Sequence, residues 1–136
     1  MSIRINVIND SAKKFLPKSK IEKAVGKAFK SEKVKKADIL IVLCDDIYIR
    51  ELNKKYLKHD FPTDVLAFTL GEDTIEGEIY VSYERAKEQA EEYKVSLTNE
   101  LLRLAVHGAL HLVGYDDKTK KQKELMFQLE SSYISG

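Results

Sequence analysis

The chain has 136 residues, 43% of them hydrophobic and 33% charged, enough for one domain with a real core and too few for two ordinary ones. A single cysteine, Cys44, excludes an intrachain disulfide and a disulfide-dense secreted scaffold, and no apolar run approaches the roughly 20 residues that span a membrane; the expected setting is a reduced cytoplasm, with no membrane partner. Net charge is only +1, yet residues 1–60 carry 15 Lys/Arg against 8 Asp/Glu and residues 61–136 carry 8 against 14, a polarity that lets one face meet a polyanion.

Ile3, Ile5 and Val7 alternate with polar residues in "IRINVIND" and predict a first strand with one buried face. After Pro17, the residues Ile21, Ala24, Val25, Ala28 and Phe29 recur at helical spacing, with Lys20, Lys23, Lys27 and Lys30 on another face. That lysine stripe reads first as a solvated surface and second as an RNA-phosphate contact. "ADILIVLCDD" is an unbroken apolar run, as expected of a strand covered on both faces, with Cys44 as packing filler. Asp45 or Asp46 can cap the helix that follows, in which Ile49, Leu52 and Tyr56 recur at three and four residues, and Pro62 ends it.

"VLAFTL" and "GEIYVS" predict two more strands, joined by the polar "GEDTIE" as a hairpin. Thr63 and Asp64 before them fit turn chemistry, and His59 in its polar loop fits an exposed residue. Three helical patterns close the chain: a largely polar one from Tyr83, one apolar almost all round from Ser96 to Gly114, and an amphipathic one near the end. The expected fold class is α+β: a single domain over residues 1–136, with a small mixed four-stranded sheet covered by helices around a central apolar one.

The central helix holds the chemistry, in "AVHGALHLVGYDDKT". His107 and His111 are four residues apart, so their rings project from one side of the helix. Gly114 ends the helix and lets the chain turn back, bringing Asp116 or Asp117 toward the rings. Two imidazole nitrogens and a carboxylate oxygen suit zinc, with a fourth position for water. The plainer alternative keeps both rings in the core, hydrogen-bonded to backbone or to Tyr115, but burying two polar rings in an apolar helix is unfavourable unless every ring nitrogen finds a partner. The spacing is close to the metzincin protease signature, except that Gly108 stands where those proteases carry a glutamate as general base. Peptide cleavage is therefore disfavoured, and activation must rely on the metal, another carboxylate or the substrate.

"HGALHLVGYDD" resembles the H-G-x-L-H-L-x-G-Y-D-H signature of the YbeY family of bacterial rRNA maturation factors. "ELNKKYLKHDFPTDVLAFTL", "GEIYVS" and "MFQLE" resemble three further blocks of that family, in order and spacing, over nearly the whole chain. The resemblance implies a metzincin-like fold, a zinc ion, and single-strand-specific endoribonuclease activity maturing the 3′ end of small-subunit rRNA. The implied partners are ribosomal RNA, the small ribosomal subunit and its assembly factors. By position, His107 and His111 match the first two metal ligands, and Asp117 stands where the family has a third histidine. Leu57 stands where the family has an arginine that is thought to manage phosphate charge; Arg50, Lys54, Lys55 and Lys58 are the candidate RNA contacts around it. The rival reading is a ribosome-assembly factor whose metal is structural.

Overall fold

A computed structural model describes residues 2–11, 15–58, 63–71 and 74–135. The order of elements is β1 (Ser2–Asn9), α1 (Lys18–Ser31), β2 (Lys36–Cys44), α2 (Asp46–Leu57), β3 (Val65–Thr69), β4 (Ile75–Ser82), α3 (Tyr83–Tyr93), α4 (Leu97–Val113) and α5 (Lys120–Ile134). The strands form one sheet in the order β1-β2-β4-β3. β1, β2 and β4 run parallel, and β3 pairs antiparallel with β4, so the predicted mixed sheet and terminal hairpin are both present. His59 and Pro62 lie outside the described residues.

Strand β2 shows why its sequence is apolar without a break. Ile39, Ile41 and Leu43 join the main core beneath α1 and α4, whereas Val42 and Cys44 on alternate positions join a smaller core with Ile49 of α2 and Leu66 of β3. Burial, and then the Asp45 charge, push the Cys44 thiol up to about 12, so the residue packs and does not react.

Helix α4 runs through the middle of the molecule, against α1, α3, α5 and strands β3 and β4. This neighbourhood accounts for its almost continuous apolar surface: Leu101, Leu102, Leu104, Ala105, Val106, Ala109 and Leu110 are all buried. Ser96 caps its start by accepting from the Asn99 amide at 3.0 Å. It lies close to the sheet because Gly108 and Gly77 face the contact. A Cβ on Gly108 would sit 2.6 Å from Ile79 Cγ2, and one on Gly77 would sit 2.5 Å from the Phe68 carbonyl oxygen. The position that holds a glutamate in metzincin proteases is thus buried against the sheet, with no room for a side chain.

Candidate metal centre and adjoining cleft

At the end of α4 the backbone turns at Gly114, whose φ of 126° favours glycine. The Gly114 and Tyr115 amides both donate to the Leu110 carbonyl, at 3.1 and 3.0 Å. The turn is then fixed from outside: the Tyr115 hydroxyl donates to Glu32 Oε1 at 2.7 Å, and the Tyr133 hydroxyl donates to the other oxygen of Glu32. Tyr115 therefore anchors the turn and leaves the histidines free of it, contrary to the core-histidine alternative.

The two aspartates beyond the turn separate cleanly. Asp116 Oδ1 accepts from the Asp117 amide at 2.8 Å, which is local turn chemistry. Asp117 reaches back, with Oδ2 at 3.2 Å from His107 Nε2 and Oδ1 at 3.6 Å from His111 Nε2. The two Nε2 atoms are 3.1 Å apart. One atom from each of the three residues falls within a 4.8 Å group that could hold a metal ion. A tetrahedral ion bound at about 2.0–2.2 Å needs donors roughly 3.3–3.6 Å apart, so the donor set fits a divalent ion, and two imidazoles with one carboxylate suit zinc chemically.

Behind His107 stands a residue to which the sequence reading gave no role. His107 Nδ1 donates to Glu130 Oε2 at 2.6 Å, and Glu130 Oε1 accepts from Arg103 Nη1 at 3.1 Å. Arg103 also donates to the Ser131 hydroxyl at 3.0 Å and lies over the Phe127 ring at 4.4 Å. With Nδ1 carrying the proton toward Glu130, the Nε2 lone pair is left facing His111 and Asp117. Burial pulls the His107 pKa down, but the Glu130 hydrogen bond and charge, with Asp117 and Asp64 behind them, more than reverse this and leave it above the usual value. A metal ion must displace any proton held at Nε2, which makes metal uptake pH-dependent. The entry of α5, which carries Glu130, is set by a capping box of Thr119 and Gln122.

A cleft of about 440 Å³ adjoins the donor group; Asp64, Gln89, Tyr93, Glu100, Arg103 and His107 are among its lining residues. The Asp64 carboxylate accepts from Gln89 Nε2 of α3 at 3.1 Å and faces this cleft, a tertiary role beyond the turn chemistry read from the sequence. Glu100 is 2% exposed, and its Oε1 is buried without a hydrogen-bond partner among the described residues. Leaving such an oxygen unsatisfied costs about 1–3 kcal/mol. None of Arg50, Lys54, Lys55 or Lys58 lines the cleft. Lys54, Lys55 and Lys58 are exposed on or just after α2, on the opposite face of the sheet, as is Leu57. Lys27 of the lysine stripe is engaged, donating to the Ser132 and Ser135 carbonyls at the end of α5.

Burial raises the Glu100 pKa, with Asp64 and Glu130 adding to it and Arg103 opposing. The native state then holds the proton more tightly than the unfolded chain, so stability is fully present below the ordinary carboxyl range and is lost as pH rises toward the raised value. Glu100→Gln removes that loss. The variant is expected to melt at a higher temperature than wild type at neutral pH, with the gain shrinking in acid; thermal unfolding at the two pH values checks this, and an equal shift at both would contradict it.

The fold and this site define an α+β domain with a His/His/Asp group that could hold a metal ion at the end of its central helix. The model of the family described as Endoribonuclease YbeY matches residues 6–136. Endoribonuclease YbeY of Chloroherpeton thalassium is 40% identical over 96% of this chain and 93% of that protein, and the Flavobacterium psychrophilum protein of the same name is 43% identical over 76% and 75%. The solution structure of TM1509 from Thermotoga maritima superposes with a TM-score of 0.64 at 30% identity, over 96% of this chain and 86% of that one. The chain belongs to the YbeY endoribonuclease family.

Proposed function

We propose that residues 1–136 act as one zinc-dependent, single-strand-specific endoribonuclease domain in the cytoplasm, maturing the 3′ end of small-subunit rRNA. Its partners are ribosomal RNA, the small subunit and the assembly factors on it. The observation that carries the reading is the convergence of His107, His111 and Asp117 at the end of a buried helix in a chain of this family. A divalent ion held there would supply Lewis-acid polarisation of a phosphate oxygen and acidify a water molecule. The chain's own residues prepare the site: Glu130 holds the His107 proton on Nδ1, Arg103 holds Glu130, and the Gly114 turn with Tyr115 delivers Asp117. No carboxylate base comes from position 108, which is glycine packed on Ile79.

Arg50, Lys54, Lys55 and Lys58 are the proposed phosphate contacts leading RNA in from the α2 side, and Tyr56, exposed there against Phe68 with ring centroids 5.5 Å apart, offers a stacking face. One observation favours a second reading, an assembly factor with a structural metal. Arg103, the one Lys or Arg lining the cleft among the described residues, is already committed to Glu130 and Ser131.

The deciding experiment is cleavage of a precursor small-subunit RNA by metal-loaded wild type and by His111→Ala purified in parallel. Chelator-sensitive cleavage that is absent from the variant establishes the nuclease. Equal cleavage, or none from either protein at verified metal occupancy, discards the nuclease and favours the assembly factor. Asp117→His tests the third donor. An anionic ligand offsets more of the ion's charge than a neutral imidazole does, so the variant's activity profile is expected to move to lower pH. A profile that stays in place, measured at full metal occupancy, counts against Asp117 as a ligand.

A further inference from the structure

We infer that the cleft beside His107 is a nucleobase pocket, which receives the base next to the scissile phosphate and selects bases bearing an exocyclic amine, with Glu100 as the reader. The inference rests on the nuclease reading above and adds to it a sequence preference.

Four polar residues of α4 make one stripe. Glu100, Arg103, His107 and His111 follow at steps of three, four and four, so they share a helix face that runs from the cleft to the donor group. Seven residues separate Glu100 from His107, about 10 Å along the axis. That is comparable with the reach from a phosphate to the far edge of its own base.

Charge decides what the cleft can hold. Of its carboxylates, Glu130 is paired with Arg103, Glu100 feels the same Arg103 charge, and Asp64 has no cation paired with it among the described residues, so three carboxylates share one cation. A phosphate would be repelled from such a pocket, and a neutral planar group with N–H donors would be drawn in. Gln89 and Asn99 in the lining add amides, which read base edges, and Tyr93 and Phe127, each 59% exposed, offer ring faces at the cleft.

Glu100 supplies the specific acceptor. Its Oε1 is buried in the cleft wall with no hydrogen-bond partner among the described residues. The last torsion of a glutamate is broad, so a modest turn of the carboxylate presents that oxygen to a bound base. The exocyclic amines of adenine, cytosine and guanine can donate to it, whereas uracil carries no exocyclic amine. An acceptor left unsatisfied in the free protein and satisfied by ligand is what a discriminating site requires.

The test uses the full chain, metal-loaded, with oligoribonucleotides of one cleavable sequence that differ only in the base beside the cut. Wild type is expected to favour A, C and G over U by roughly tenfold in kcat/KM, the scale of one well-made base contact. Glu100→Gln, which replaces one acceptor oxygen by a donor, is expected to erase the preference by slowing cleavage beside A, C and G and speeding it beside U. Equal cleavage of all four by wild type, or a uniform loss in the variant, would overturn the inference. A second arm is independent of cleavage: NMR titration with the four nucleosides, following the Tyr93 and Phe127 rings. Shifts with adenosine, cytidine and guanosine but not uridine, in a protein that cuts no RNA, would keep the pocket and discard the nuclease. Cleavage without base preference or ring shifts would keep the nuclease and discard the pocket.

Discussion

Glu130→Ala is expected to weaken divalent-metal binding by about 10- to 100-fold, the usual effect of removing a carboxylate that orients a metal-binding histidine. Glu130 is buried, its side chain only 7% exposed, and it accepts from His107 at 2.6 Å while receiving Arg103 at 3.1 Å. Without it, His107 can carry its proton on Nε2 instead, the atom that faces His111 and Asp117, and the ring is free to turn. Arg103 would also lose its carboxylate in a site where its side chain is 17% exposed, which is unfavourable for a charge with little access to water. Competition against a chelator of known affinity measures the effect. Glu130→Gln, which keeps an acceptor oxygen of similar shape but no charge, is expected to fall between the two. Unchanged affinity in both variants would show that the contact does not position the metal-binding nitrogen.

Gly108→Ala should destabilise the fold by about 2 kcal/mol, even though alanine is the better helix former by roughly 1 kcal/mol. The added Cβ would lie 2.6 Å from Ile79 Cγ2 and 3.2 Å from Cγ1. These atoms sit on the branched carbon's own substituents, not at the end of a flexible chain, and Ile79 is fully buried on β4. Either α4 lifts from the sheet, or Ile79 moves against a packed core. In an Ile79→Ala background the same substitution should be neutral or favourable, because the clashing atoms are gone; urea unfolding of the four proteins gives the coupling directly. Stabilisation by Gly108→Ala in the wild-type background would contradict the close approach. Because His107 and His111 lie on the same helix, the single variant is also expected to bind metal less tightly.

Much of this protein was legible in its residues because local patterns report local structure. Period-two alternation in β1, the double-sided run of β2 and the helical stripes of α1 and α5 each followed from which side chains must leave water. The four-residue step from His107 to His111 and the glycine that ends α4 placed two imidazoles on one face and set the turn that brings a carboxylate toward them. Even part of the unread site left a mark: Glu100 and Arg103 interrupt an otherwise apolar helix, and Glu130 stands among the buried residues Met126 and Tyr133 of α5.

What those charged residues meet was beyond the sequence, since their partners come from elements distant along the chain. Glu130 reaches His107 across 23 residues, and Glu32 reaches Tyr115 across 83. Asp116 and Asp117 are equivalent in any local reading, and only the turn held by Tyr115 and Glu32 decides that Asp117 faces the histidines. Gly108 likewise reads as a missing base until the sheet is in place, and then proves to be where the helix touches Ile79. Composition and spacing determine which groups can bind a metal and which surfaces must be buried, because those are properties of single residues and single helices. Which groups actually converge is decided by packing, because that depends on how the elements stack around one core.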